Sequence, residues 1–137
     1  MDTLKLFGVS LLSFAILDTI WLGALAKKIY IEKMAAIGRI ENGQFHLEFT
    51  AVPFVYLLMS AAIVFFVLPR LQNTSITFSF FVGAFMGLIV YGVYDMTNMA
   101  TLKDWSWSLS LIDMTWGCTI FGLVTLVTKY TGMLLSK

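Results

Sequence analysis

The fold is decided by a long apolar stretch that carries one acid, FSFFVGAFMGLIVYGVYDMTNM at residues 78–99. A helix needs about 20 mainly apolar residues to cross the roughly 30 Å hydrocarbon core of a bilayer. Three further stretches meet this requirement, at 6–26, 51–68 and 108–127. The sequence therefore predicts an all-α, four-transmembrane-helix bundle, formed by one integral membrane domain over residues 1–137. An even number of crossings predicts that both termini lie on the same side.

The composition supports the same class of protein. Hydrophobic residues make up 59% of the chain and charged residues 12%, whereas soluble domains carry about 25% charged residues. A net charge of +1 gives no indication of a nucleic-acid partner, which would require a strongly basic surface. The expected partner is the lipid bilayer itself.

Three aspartates, Asp18, Asp95 and Asp113, lie inside predicted spans. A charged side chain in hydrocarbon costs a few kcal/mol, so such residues usually face the bundle interior or a wet cavity. Asp18 is eight residues before Ala26, Asp95 eight before Lys103 and Asp113 eight after Trp105. At 1.5 Å per residue, each aspartate lies about 12 Å below the same end of the bundle. That end carries the loops 27–50 and 100–107. We therefore predict that the three acids meet at one depth in one leaflet.

Aromatic, amide and small residues accompany the acids at helical spacing. In the third span a stripe at every fourth position shares one helix face, formed by Gly83, Gly87, Tyr91 and Asp95, with Tyr94 and Asn98 beside it. The pattern of Gly83 and Gly87 permits close helix approach, either inside the bundle or at a dimer face. Trp21 and Trp116 each follow an aspartate by three residues, and this spacing places them on the same face as that acid. The predicted ligand-binding set is Asp18, Trp21, Tyr91, Tyr94, Asp95, Asn98, Asp113 and Trp116.

The loop between the first two spans is not a simple linker. Apolar residues alternate there with Lys28, Lys33 and Arg39, which predicts an interfacial amphipathic segment between helices 1 and 2 that covers the acids. Asn42-Gly43 indicates a turn. His46 is the one histidine of the chain, and no metal-binding spacing accompanies it, so we predict no metal site. The residues indicate no cofactor.

A longer motif resembles a known family. The stretch Tyr94-Asp95-x-Thr-Asn98-x-Ala-Thr-Leu-x-x-Trp105, together with Asp18–Gly23 and Asp113–Gly117, resembles the small bacterial membrane proteins catalogued as domain of unknown function 2177 (DUF2177). The resemblance covers essentially the whole chain. Such proteins typically have proline after the tryptophan, whereas this chain has Ser106. The resemblance implies a four-helix protein of the bacterial inner (cytoplasmic) membrane and implies no activity.

Three classes of function fit these residues. The first is a protein that binds or transports protons or a cationic or polyhydroxylated small molecule at the acid cluster, with a homodimer completing the path. The second is a membrane-embedded enzyme acting on a lipid or isoprenoid, with one carboxylate as base and another as acid. The third is a structural or accessory subunit whose aspartates fix helix register. The first is favoured, because packing alone seldom explains three acids in one leaflet. The sequence assigns no catalytic residue and no membrane orientation, since Lys and Arg are nearly balanced between the two sides.

Overall fold

Four helices long and apolar enough to cross a membrane make up most of the chain. The structure is a computed structural model that describes residues 3–135. The four candidate spans are Thr3–Leu25, Val52–Arg70, Ile76–Thr101 and Trp107–Leu135. The predicted all-α, four-helix membrane bundle is confirmed. The division into a single domain over residues 1–137 and the shared side of the two termini stay predictions.

In two of the spans, the α-helix changes near its C-terminal end into helical turns of a different pitch. Helix α1 (Thr3–Ile20) leads into a π-helical turn at Trp21–Leu25, and α3 (Val52–Ala61) leads into a π-helical segment at Ala62–Val67 and a 3₁₀ turn at Leu68–Arg70. The segment at the end of α3 precedes Pro69, which cannot donate a backbone hydrogen bond. The other helices are α2 (Lys27–Lys33), α4 (Ile76–Thr101) and α5 (Trp107–Leu135). Helix α5 therefore extends eight residues beyond the predicted end at 127.

Serines begin both helices of the C-terminal pair. The Ser75 hydroxyl accepts a hydrogen bond from the Phe78 amide at 3.1 Å, which caps α4. The Ser106 hydroxyl accepts from the Leu109 amide at 3.3 Å at the start of α5. Serine is a preferred N-cap because its side chain satisfies an amide that has no partner within the helix. Ser106, which stands where the resembling proteins typically have proline, therefore supplies a start signal of its own.

Helices α4 and α5 pack with their backbones in direct contact. A Cβ atom added to Gly87 would lie 2.1 Å from the Gly117 carbonyl oxygen, and one added to Gly83 would lie 2.2 Å from the Thr125 hydroxyl. A Cβ atom on Gly117 would meet the Tyr91 ring at 2.4 Å. The close-approach face of α4 is therefore used within the chain, against α5, and not at a dimer interface.

Helices α1 and α3 complete the bundle around α5. The central buried cluster joins Phe14 of α1, Ile63 of the π-helical segment after α3, and Phe121 of α5, all of which are 0% exposed. The Phe14 and Phe121 rings meet edge to face at 4.9 Å. The two helices that meet at this aromatic pair also carry Asp18 and Asp113.

The loop between α1 and α3 is structured. The short helix α2 is followed by a two-residue hairpin, in which β1 (Ile40–Glu41) pairs antiparallel with β2 (Gln44–Phe45). The turn residues Asn42 and Gly43 have φ of 49° and 71°, as a type I′ turn requires. Helix α2 falls within the predicted amphipathic segment, and its position at the membrane interface stays a prediction.

Polar contacts at the end of this loop are on the surface. His46 lies 3.7 Å from Glu41, and Arg39 lies 3.6 Å from Glu48. The side-chain and backbone hydrogen bonds of Thr50 hold the pKa of Glu48 below its ordinary value. Because these side chains are exposed, their attraction is screened by water and adds little to stability.

Candidate functional site

The three intramembrane aspartates come from α1, α4 and α5 and are all buried. Asp18, Asp95 and Asp113 are 6%, 0% and 9% exposed. Asp113 interacts electrostatically with both of the others. The structure thus brings the three acids into one region of the bundle interior, which we call the acid cluster.

Asp18 is held by aromatic donors from two other helices. The Trp116 indole N–H donates to its Oδ1 at 2.7 Å, and the hydroxyl of Tyr56 on α3 also faces its carboxylate. The Trp116 ring stacks on Trp21 with a centroid separation of 4.4 Å and an angle of 5°. The two tryptophans therefore form one continuous surface beside Asp18, which we call the tryptophan wall.

Asp113 is covered by a residue of the loop. The Tyr30 hydroxyl of α2 donates a hydrogen bond to the Asp113 Oδ1, and the Trp21 indole N–H donates to the Tyr30 oxygen at 3.4 Å. Burial raises the pKa of Tyr30 well above its ordinary value, and the charge of Asp113 adds to this effect. Tyr30 is therefore a stable proton donor at neutral pH. Lys33, one turn further along α2, donates to the Ser108 hydroxyl at 2.6 Å, so α2 is the roof of the acid cluster.

Asp95 differs from the other two acids because its carboxylate oxygens form no hydrogen bond with the described residues. It is 0% exposed, and neither of its oxygens has a hydrogen-bond partner among residues 3–135. Its nearest polar neighbours are Ser110, Asp113 and Trp105. The Trp105 indole is used elsewhere, since it donates to the Ser110 hydroxyl at 2.9 Å.

The electrostatic surroundings of the acid cluster lack positive charge. The described groups that interact with Asp18, Asp95 and Asp113 are aromatic, hydroxyl or acidic side chains, with no Lys, Arg or His among them. Within the described part of the chain, no three His, Cys, Asp or Glu side chains are grouped so as to hold a metal ion. The negative charge of the cluster is therefore not offset by a protein cation.

The remaining predicted residues divide between the interior and the edge. The Tyr91 ring packs on Gly117, and its hydroxyl interacts with Asp18 and Asp113. Tyr94 is 52% exposed and meets the Trp105 ring edge to face at 5.8 Å, with its hydroxyl directed to the half-buried Asn98. Tyr91 thus belongs to the acid cluster, whereas Tyr94 and Asn98 lie at its edge.

Four residues that contact or neighbour the acids were not in the predicted set, namely Tyr30, Tyr56, Trp105 and Ser110. For Tyr56 and Ser110, the sequence contains a pattern from which an inward position could have been predicted. Tyr56 is a phenol within a span whose other side chains are almost all apolar, and Ser110 precedes Asp113 by three residues and so shares its face. For Tyr30 the sequence contains no such pattern, because its contact depends on how the loop folds back.

Two hollows lie near the cluster, and neither is lined by its acids. One, of about 450 Å³, is lined by Trp21, Leu111, Ile112, Thr115, Trp116 and Thr119. The other, of about 440 Å³, lies at Ala24, Lys27, Lys28, Ile31, Glu32 and Gly43. The tryptophan wall separates the first hollow from Asp18, so the acids are enclosed in this conformation.

Removing the roof contact is expected to loosen α2. In a Tyr30→Phe variant, Asp113 loses its donor, and leaving a buried polar group without its partner costs about 1–3 kcal/mol. Hydrogen–deuterium exchange of the α2 amides should therefore become faster, while exchange in the centre of α5 stays unchanged. Tyr130→Phe, at a residue that is 62% exposed, is the matched control. Equal α2 exchange in both variants would show that the contact does not hold the roof.

The fold and the acid cluster define a multi-pass membrane protein with an enclosed acidic interior. Comparison with protein families identifies it further. The model of the family described as "Predicted membrane protein (DUF2177)" matches residues 3–130, and the chain belongs to this family. No curated protein and no solved structure matches the chain.

Proposed function

We propose that this membrane protein takes up and releases protons at the acid cluster, as the proton-binding site of a transport or binding protein of the bacterial inner membrane. The observation that carries the proposal is Asp95, a fully buried carboxylate whose oxygens make no hydrogen bond within residues 3–135, and whose polar neighbours Ser110, Asp113 and Trp105 include no cation. In a low-dielectric interior a carboxylate of this kind is stable only when it carries a proton or binds a cation.

The enclosure of the cluster favours a proton over a larger ligand. Asp18 is bonded to Trp116 and Asp113 to Tyr30, and neither neighbouring hollow is lined by Asp18, Asp95 or Asp113. A small molecule would reach the carboxylates only after the roof or the tryptophan wall had moved. A proton needs no such opening, because it can pass along neighbouring hydroxyl and carboxyl groups inside the bundle.

The side chains around Asp95 offer a route for that proton. Asp95 neighbours Asp113, and Asp113 accepts a hydrogen bond from Tyr30 on the loop side of the bundle. Carboxyl and phenol groups can each donate and accept a proton. The route therefore runs from α2, through Tyr30 and Asp113, to Asp95 as the terminal acceptor.

Infrared difference spectroscopy of the protein in lipid nanodiscs tests this proposal. A pH step applied to the wild-type protein should change the carbonyl band of a buried protonated carboxyl group, and Asp95→Asn should abolish that change. Asp104→Asn, at an exposed acid of the α4–α5 loop, should leave the band intact. The proposal is wrong if the wild-type and Asp95→Asn proteins give the same pH-dependent carbonyl signal.

A structural role is a second candidate, and it is favoured by the contacts of Asp18. Its bond to Trp116 ties α1 to α5, which is what a register-fixing acid does. This role predicts that Asp18→Leu lowers the thermal stability of the purified protein and that Asp95→Asn changes neither stability nor proton uptake. The infrared experiment therefore separates the two candidates at Asp95.

A further inference from the structure

Three hydroxyl groups are buried in the bundle without a partner. Ser10 on α1, Ser60 on α3 and Thr125 on α5 are each 0% exposed. None of their oxygens has a hydrogen-bond partner within the described residues. Leaving a buried hydroxyl unpaired costs about 1–3 kcal/mol, and in native proteins such groups usually bind an ordered water molecule.

Other hydroxyls of α1 and α5 form a hydrogen bond within their own helix. The hydroxyls of Thr115, Thr119, Thr128 and Thr131 each donate to the carbonyl four residues earlier in α5, at 2.6–2.9 Å. Ser13 does the same in α1, at 2.7 Å from the Val9 oxygen. This internal bond is the ordinary solution for serine and threonine in an apolar helix. Ser10 and Thr125 do not use it, so their hydroxyls remain available to another partner.

The register of the helices sets the three hydroxyls near one height. Asp18 contacts Trp116, and Phe14, one turn before Asp18, contacts Phe121. Because α1 and α5 run antiparallel, one further turn along each helix brings Ser10 to the height of Thr125.

The same reasoning applies to α3. Its Tyr56 faces Asp18, and Phe65, in the π-helical segment that continues it, packs against Phe7 of α1 at 6.3 Å. This pairing places Ser60 within about one turn, roughly 5 Å, of the height of Ser10. The hydroxyls of three helices thus lie at similar heights in the bundle, and we call this set the hydroxyl layer.

An aromatic pair lies between the hydroxyl layer and the acid cluster. Phe121 follows Asp113 by eight residues and precedes Thr125 by four, which is about 12 Å and 6 Å along α5. Its ring contacts Phe14 at 4.9 Å and Tyr91 at 6.4 Å. Both phenylalanines are 0% exposed, so they close the interior between the two polar regions.

The end of the bundle opposite the roof also carries hydrogen-bonded polar side chains. Lys129, one turn beyond Thr125, donates to the Thr74 carbonyl at 2.7 Å and to the Ser79 hydroxyl at 2.7 Å. Thr74 and Ser79 flank the start of α4 and also contact each other, at 3.0 Å. The polar groups therefore continue from the hydroxyl layer to the end of the bundle opposite the roof.

We propose that Ser10, Ser60 and Thr125 bind water inside the bundle, and that this hydrated layer passes protons between the acid cluster and the Lys129 end, with the Phe14–Phe121 pair as the barrier. The water site is independent of the acids. The proton path rests on the proposed function, because it needs the acid cluster as its other terminus.

Water-edited solid-state NMR of the protein in liposomes tests the water site. Magnetisation from water should reach the Thr125 side chain much faster than it reaches the Thr128 side chain. Thr128 is equally buried, but its hydroxyl is bonded to the Val124 carbonyl. The isosteric change Ser10→Ala should slow the transfer to Thr125. Transfer to Thr125 that is as slow as transfer to Thr128 would overturn the water site.

Proton flux into liposomes under a potassium diffusion potential tests the barrier. Phe121→Ser should raise the flux at least about tenfold over Phe121→Leu, which keeps the position apolar; tenfold corresponds to about 1.4 kcal/mol of barrier. Adding Thr125→Val to Phe121→Ser should return the flux to the Phe121→Leu value. Equal flux through Phe121→Ser and Phe121→Leu, repeated with Phe14→Ser and Phe14→Leu, would overturn the barrier.

Combining Phe121→Ser with Asp95→Asn, and comparing it with Phe121→Ser plus Thr125→Val, separates this inference from the proposed function. A Phe121→Ser leak that Thr125→Val stops but Asp95→Asn leaves unchanged would support the hydroxyl layer and overturn its link to the acid cluster. A leak that Asp95→Asn also stops supports both. A leak that Thr125→Val does not stop contradicts the inference, whatever the infrared signal of Asp95 shows.

Discussion

Gly87→Ala is expected to prevent α4 from packing on α5. The added Cβ atom would lie 2.1 Å from the Gly117 carbonyl oxygen and 2.9 Å from the Phe121 Cβ atom. The first of these is a backbone atom, which cannot move aside by changing rotamer, so the helices would have to separate. Overpacking of this kind costs about 3 kcal/mol. Thermal and detergent denaturation of the purified protein should report the loss.

Two glycines of the same chain provide the control for this prediction. Gly8 and Gly23 have no atom within 4 Å of an added Cβ atom, and alanine is the better helix former. Gly8→Ala and Gly23→Ala should therefore leave stability unchanged or slightly higher. A Gly87→Ala protein as stable as Gly23→Ala would contradict the close backbone contact between α4 and α5.

Trp116→Ala is expected to be the most damaging substitution beside the acid cluster. It removes the ring that stacks on Trp21 and the N–H that donates to Asp18. Truncation of a large packed aromatic residue costs about 3–5 kcal/mol, and leaving Asp18 without its indole donor adds to this. The free energy of unfolding in a titration with denaturing detergent should fall accordingly.

Intermediate and control variants divide this effect between the ring and the N–H. Trp116→Phe keeps an aromatic ring against Trp21 but has no donor, so it should lose about 1–3 kcal/mol, the cost of leaving a buried acceptor without its partner. Trp107→Ala, at a residue that is 64% exposed, should be close to neutral. Equal stability of Trp116→Ala and Trp107→Ala would exclude the tryptophan wall as a stabilising feature.

The membrane architecture was predictable from the sequence because it depends on segment length and hydrophobicity. The inward position of Asp95 was also predictable, since four-residue spacing links it to Tyr91, Gly87 and Gly83 along one face of α4. The same periodicity explains why Tyr94 is peripheral. It precedes Asp95 by one residue and is therefore turned about 100° away around the helix.

Contacts that depend on tertiary structure could not be read from the sequence. Tyr30 reaches Asp113 across 83 residues of the chain, and only the folded loop brings them together. The stacking of Trp21 on Trp116 likewise depends on the relative height of two antiparallel helices, which hydropathy does not specify. Whether the Thr125 hydroxyl bonds within its own helix depends on the side-chain rotamer. The sequence does not distinguish Thr125 from the neighbouring Thr128 in this respect.

The junction at Ala26 joins the tryptophan wall to the roof with almost no slack. Its amide bonds the Trp21 carbonyl at 2.7 Å, and its carbonyl accepts from the Tyr30 amide at 3.1 Å. A single residue thus joins the two elements, and we expect that lifting α2 would disturb the stack of Trp21 on Trp116. Opening of the enclosure is therefore expected to change the tryptophan fluorescence of the protein, to which Trp21 and its stacking partner Trp116 both contribute.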